Sequence, residues 1–145
     1  MVNKDENIIK RGNETMNKER LEMLNEYIKS GITPILIENM PASVFDNATI
    51  LNANCDISDL NGHYENINFV APSWYNKLKQ NQTKMLVINN INEIDVNEQT
   101  KFIEILKYKK ISTFDLPKDC IIIVTAKNLK ERPINEEVYS LLAHI

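Results

Sequence analysis

The chain is poor in glycine: three occur in 145 residues, at Gly12, Gly31 and Gly62. A phosphate-cradling loop uses glycines for tight turns and for close approach of the backbone to the anion, so this shortage already weighs against an ordinary one. Cysteine is as sparse. Cys55 and Cys120 lie far apart and in no Cys-x-x-Cys pair, which reads as two buried thiols in a reducing compartment rather than a disulfide. No apolar run approaches the roughly 20 residues that span a bilayer. The opening stretch MVNKDENIIKRGNETMNKER has no apolar core of a signal peptide, so a cytoplasmic location is expected. Basic residues are outnumbered, 17 Lys and Arg against 20 Asp and Glu, for a net charge of −3. No global basic field recruits nucleic acid.

What is present fits one packed domain, with 43% hydrophobic residues and a length typical of a single core. Residues 1–16 are polar and aperiodic and are expected to form a flexible arm; the domain proper is expected over 17–145. Leu21, Leu24, Tyr27 and Ile28 recur at helical spacing over 18–30, with Asn17 as the expected N-cap and Gly31 as the stop. Four strand candidates follow, at 32–39, 49–55, 84–91 and 120–127. The segment 56–72 reads as a loop with a short extended piece. Ser73 is placed to cap a helix through Trp74, Tyr75 and Leu78, with both aromatics in the core. Asp95 and Glu98 form a capping-box-like start for a helix over 96–110. Its last turn, with Lys107, Lys109 and Lys110, suits the negative end of the helix dipole. A last helix is expected over 135–143. The first, third and fourth strands are continuous apolar runs, the mark of strands buried on both faces. Alternation with helices then argues for an open α/β fold of three layers around a mainly parallel sheet.

The stretch from Ala71 to Asn128 resembles the middle of a MoxR-type AAA+ ATPase. A Pro-x-Trp helix (Pro72 to Tyr75) precedes an apolar strand ending Asn89-Asn90-Ile91-Asn92. Gln99 follows near a helix start, then Leu116-Pro117, then an apolar strand from Ile121 to a sensor-like position at Asn128 or Lys127. Upstream, Asp59-Leu60-Asn61-Gly62 is similar to the family's Asp-Leu-x-Gly segment. Downstream, Ile134 to Ile145 resembles its Leu-Pro-x-x-Leu-x-Arg-Phe-x-His-Ile region. The likeness spans about residues 18–145 and implies a P-loop nucleoside-triphosphatase core without the family's helical lid. It also implies a sheet ordered 1-4-3-2 in the four candidates.

Four departures accompany the likeness. Where the phosphate loop belongs stands Glu38-Asn39-Met40-Pro41-Ala42-Ser43-Val44-Phe45, with no glycine. Val44 occupies the place of the phosphate-binding Lys, Phe45 that of the magnesium-binding Ser or Thr, and Glu38 repels phosphate. The family's acidic strand-end pair is Asn89 and Asn90, which cannot take a proton from water at neutral pH. The family's arginine falls on Leu141. Asn89-Asn90 is either a vestige of that pair or an ordinary polar strand-to-helix turn. The expected vestigial site is therefore Glu38, Val44, Phe45, Asn89, Asn90 and Asn128. No catalytic residue and no metal ligand is expected, since His63 and His144 lack partners at ligand spacing.

The leading expectation is a catalytically inactive, AAA+-like interaction or scaffold module whose partner is an active AAA+ subunit or a second copy of itself, with no cofactor, no membrane and no direct nucleic-acid contact. The alternatives are an AAA+ ATPase with atypical motifs, which needs ATP and magnesium, and a replication-linked accessory subunit. The family's fifth strand begins near His144, where the sequence runs out. The first strand, 35–39, is accordingly expected at an exposed edge, to be paired with a second copy or with a partner's strand rather than covered by the polar arm 1–16.

Overall fold

The structure is a computed structural model and describes residues 14–145. The expected arm over 1–16 therefore falls for the most part outside the described residues. Helix α1 (Glu14–Lys29) is followed by strand β1 (Ile35–Glu38), a one-turn 3-10 helix (Ala42–Val44) and strand β2 (Thr49–Asn52). Helix α2 (Ile57–Asn61) leads into a hairpin of β3 (His63–Glu65) and β4 (Asn68–Val70), then helix α3 (Ser73–Gln80) and strand β5 (Met85–Asn89). Two 3-10 segments (Ile91–Glu93 and Glu98–Phe102) run into helix α4 (Ile103–Tyr108), and a second hairpin pairs β6 (Lys110–Ile111) with β7 (Phe114–Asp115). Strand β8 (Ile121–Ala126), helix α5 (Glu136–Ser140) and strand β9 (Ala143–His144) complete the chain.

Five of the strands form one parallel sheet in the order β2-β5-β8-β1-β9. The apolar runs in β1, β5 and β8 supply both of its faces, as continuous hydrophobic strands must. On one face, Ile35 and Ile37 of β1, Val87 of β5 and Ile123 of β8 pack under Leu21 and Leu24 of α1. The rest of that cover comes from Met40, Val44 and Phe45 in the β1–β2 connection. On the other face, Leu36, Leu86, Ile88, Ile122 and Val124 pack against Trp74, Leu78, Phe102, Ile105 and Val138. The result is the expected three-layer α/β arrangement. Two side-chain hydrogen bonds fix α3: Trp74 Nε1 donates to Leu60 O at 3.0 Å and the Tyr75 hydroxyl to Asp115 O at 2.7 Å.

The expected order of the four strands holds, and the candidate at 49–55, shortened to β2, lies at an edge beside β5. The expectation for the first strand does not. β1 is flanked by β8 on one side and β9 on the other, with Ile35 opposite Ala143 and Leu36 opposite His144. The last residues supply a short fifth strand after all, anchored by Ile145 N donating to Leu36 O at 2.9 Å. The expected pairing of β1 with a second copy or a partner's strand loses its basis.

Other boundaries move for local reasons. Helix α1 begins at Glu14, so Asn17 lies within it rather than capping it. The segment expected as a loop, 56–72, holds α2 and a complete hairpin. The helix expected over 96–110 is partly 3-10 and stops at Tyr108, because Lys109 turns left-handed at φ 53° and Lys110 already pairs with Asp115. Asp95 makes a local Asx turn, its Oδ2 accepting from Asn97 N at 3.0 Å, instead of the expected box. The last helix is Glu136–Ser140 and gives way to β9.

Gly62 closes α2 at φ +78°, and a Cβ placed there would stand 2.5 Å from the Val70 carbonyl oxygen. Gly31 is also left-handed, at φ +74°, but opens on free space. Gly62→Ala is expected to cost about 2–3 kcal/mol, from strain plus overlap, and Gly31→Ala about 1 kcal/mol from strain alone. Urea unfolding of the two variants checks the difference.

Candidate functional site

In open parallel sheets ligands bind beyond the carboxyl ends of the strands, where connections from neighbouring strands leave toward opposite faces. β1 and β8 meet that description. The connection from β1 crosses the α1 face, while the one from β8 leads to α5 on the other. Most of the sequence-derived site residues gather at this end of the sheet, in two polar groups.

The first group ties the ends of β1 and β8 together. Both strands run into a left-handed asparagine, Asn39 at φ 56° and Asn128 at φ 53°. Asn39 N donates to Ala126 O at 2.7 Å, and Asn39 Oδ1 accepts from Asn128 N at 3.2 Å. Glu38 turns its carboxylate to the same loop, with Oε2 accepting from Leu129 N at 3.1 Å. Arg20 of α1 donates to the Glu38 carbonyl, and burial lowers its pKa, opposed by the nearby Glu38 charge. Backbone N–H groups are what such a loop offers an anion. Those of Asn39, Asn128 and Leu129 are all taken by the protein's own oxygens.

The second group runs across three strands on the α1 face. Asn52, Asn89 and Thr125 are register neighbours at the ends of β2, β5 and β8. Asn89 Nδ2 donates to Asn52 Oδ1 at 3.0 Å, and Asn89 Oδ1 accepts from the Thr125 hydroxyl at 3.0 Å. The Thr125 oxygen in turn accepts from Asn90 N at 2.9 Å. An amide has a donor and an acceptor to offer its two neighbours; an ionised carboxylate has acceptors only. Asn90 adopts φ 57° and ψ 57°, a conformation that asparagine tolerates and glutamate does not favour. Packing and backbone shape thus account for both residues.

Asn92, three per cent exposed, completes the stitching. Its Nδ2 donates to Lys127 O at 2.5 Å and Arg132 O at 2.8 Å, and its Oδ1 accepts from Lys127 N at 3.1 Å. Gln99 is fully buried and does the same work a layer further out. It donates to Ile94 O and Pro133 O and accepts from Asn135 N at 2.7 Å. Asn135 then caps α5 through Glu137 N and Val138 N. Sequence reading placed Asn39, Asn92 and Gln99 in motifs without giving them a role, and it passed over Asn52 and Thr125. Polar residues set at the ends of apolar runs were the available signal.

Val44 and Phe45 do not join the site. They are six and eight per cent exposed, in the core beneath α1. Leu141 likewise packs against the opposite core cluster. A hollow of about 820 Å³ opens beside the first polar group, walled by Leu129, Ile134 and Tyr139 and edged by Glu38, Glu131 and Glu136. Its edge carries more acidic than basic charge, with Lys130 the one lysine in the lining. His144 sits at its border, its Nδ1 3.0 Å from the Tyr139 hydroxyl. Among the described residues no cluster of His, Cys, Asp and Glu is arranged to hold a metal ion. Nor is any helix there long and apolar enough to cross a membrane. Both cysteines are free thiols, and burial pushes Cys120 up to about 11.

Asn92→Ala strands two carbonyls and one amide at once and is expected to cost about 3 kcal/mol. Asn92→Asp turns a carboxylate toward the same two carbonyls and is expected to cost at least as much. Asn90→Gly keeps the left-handed turn and is expected to stay within about 1 kcal/mol of the parent. Chemical denaturation of the three variants decides. No protein-family model matches the chain, and no curated protein matches it.

Proposed function

We propose that this chain is a catalytically inactive domain on the AAA+ plan that works as a protein-interaction module. The single observation that carries the reading is the state of the β1–β2 connection. Its apolar residues Val44 and Phe45 are core, and the amides nearest the strand ends are bonded internally. A phosphate arriving there finds the acidic side chain of Glu38, no lysine within the connection itself and no open backbone nest at the strand ends. The strand order supports the resemblance on which the reading also rests. Support for an interaction role comes from the first hairpin, which holds Ile67 at its tip 91% exposed and Tyr64 68% exposed. Tyr64, Phe69, Phe114 and Tyr75 brace that hairpin in a chain of ring contacts. Apolar groups displayed on a rigid support mark contact surfaces.

Calorimetric titration with MgATP and MgADP tests the reading. The expected result is no binding in the micromolar range and no phosphate release, in the parent chain and in the Asn89→Asp, Asn90→Glu double variant alike. A micromolar dissociation constant for MgATP overturns it in favour of the atypical nucleotide-binding alternative. Val44→Lys with Phe45→Thr, which reinstates the missing residue types, is expected to lose about 3–5 kcal/mol of stability through the core and to gain no affinity.

A further inference from the structure

The free edge of the sheet is β2. No strand among the described residues pairs with its outer side, although Asn81 at the end of α3 donates to Asn47 O and Thr49 Oγ1 beside it. A groove of about 660 Å³ runs along the strand, lined on its far side by Ser73, Lys77 and Gln80 of α3. β2 is short, at four residues, but residues 48–52 read Ala-Thr-Ile-Leu-Asn and carry neither a charge nor a proline to block the edge. Ile50 is 40% exposed on it.

The hydrogen-bonding groups left on this edge can be enumerated. Along a strand the N–H and C=O of one residue point to the same side, and the side alternates from residue to residue. Ala53 N donates inward to Asn89 O at 3.0 Å, so Thr49 and Leu51 also face β5, while Ala48, Ile50 and Asn52 face outward. Two of those six outward groups are already used: Ala48 N donates to Phe45 O, and Asn52 O accepts from Cys55 N. Ala48 O, Ile50 N, Ile50 O and Asn52 N have no partner among the described residues.

That remainder is self-complementary. We infer that β2 pairs antiparallel with β2 of a second copy about a two-fold axis at Ile50. Each Ile50 then exchanges both of its bonds with its counterpart, and each Asn52 N–H meets the Ala48 carbonyl of the other copy. The ladder stops there, because the next donor and acceptor are the two groups that the chain has already satisfied. A second copy set parallel, or an antiparallel register shifted by two residues, leaves some of the four unpaired, because Ala48 N and Asn52 O of that copy are already used. The two Ile50 side chains lie directly opposite on the α1 face and shield one another. The inference names a second copy as a partner of the interaction module and rests on that reading. Nucleotide titration tests the reading, whereas the following experiments test only the pairing.

Sedimentation of the full chain over a concentration series is expected to show a reversible monomer–dimer equilibrium. Ile50→Pro removes a donor that faces away from β5, so the fold survives, as unchanged circular dichroism and thermal midpoint will record. It is expected to weaken the dimer about tenfold or more, as is Ile50→Lys, which sets like charges opposite each other. Register is read by cross-linking in a Cys55→Ser background. Opposed residues of a hydrogen-bonded antiparallel pair stand about 5.5 Å apart at Cα, within disulfide range. Ile50→Cys is therefore expected to give a covalent dimer under copper–phenanthroline oxidation, while Ile67→Cys, away from the axis, gives none under the same conditions. A chain that stays monomeric to millimolar concentration overturns the pairing. So does a dimer that Ile50→Pro leaves intact, or one in which Ile50→Cys fails to cross-link; a heterologous strand taken up by the edge of the monomer does the same.

Discussion

A parallel sheet must be covered on both faces, and on one of them this chain commits a single long helix. α1 shields part of β1, β8 and β5 through Leu21 and Leu24. The remaining area falls to whatever joins β1 to β2, since that connection has to cross the same face. Ten residues make the crossing, and they carry Met40, Val44 and Phe45 across it as a lining. Burial of three such side chains is worth several kcal/mol, about 1.5–3 kcal/mol each. A loop held open for an anion and a loop folded flat as a lid on the core are incompatible uses of the same residues. The rest of the strand-end chemistry follows from the second use.

Glycine scarcity shapes that chemistry too. Among the described residues, seven other than glycine take a positive φ, and five of them are asparagines: Asn39, Asn47, Asn66, Asn90 and Asn128. Asparagine is the side chain that best tolerates the left-handed region, and it brings an amide that glycine lacks. At Asn39 that amide is put to use, holding the end of β8 to the end of β1. Residues that looked like a degraded catalytic pair are, at Asn89 and Asn90, components of a strand-end weld. No buried polar side-chain atom among the described residues goes unsatisfied.

The strands were legible because burial on both faces writes a continuous apolar run, and β1, β5 and β8 each show one. Their order in the sheet was legible only through the resemblance, not from periodicity. Short elements were not legible. β3, β4, β6 and β7 span two or three residues each, too few for an alternation to register, and their turns rest on Asn66 and Ser112 rather than on Asn-Gly signals. β9 was missed for a related reason: two residues beside an already apolar neighbour leave no pattern of their own. At the candidate site the identities were visible but their partners were not. Gln99 meets Pro133 and Asn135, a contact between segments whose nearness only the fold creates.

The position of β1 within the sheet bears on how the chain reaches this state. β1 is made early in synthesis, yet both of its neighbours, β8 and β9, come from the last quarter of the sequence. Nothing local can pair with it in the meantime. Ile35, Leu36 and Ile37, fully buried in the finished sheet, belong to a nascent chain that has no place to put them until Ile121 onward has been added. Such non-local parallel pairing is slow, because loop closure must precede any reward from contact. The chain therefore has a long interval in which an apolar strand that ends fully buried is left without its neighbours, the kind of exposure that invites aggregation.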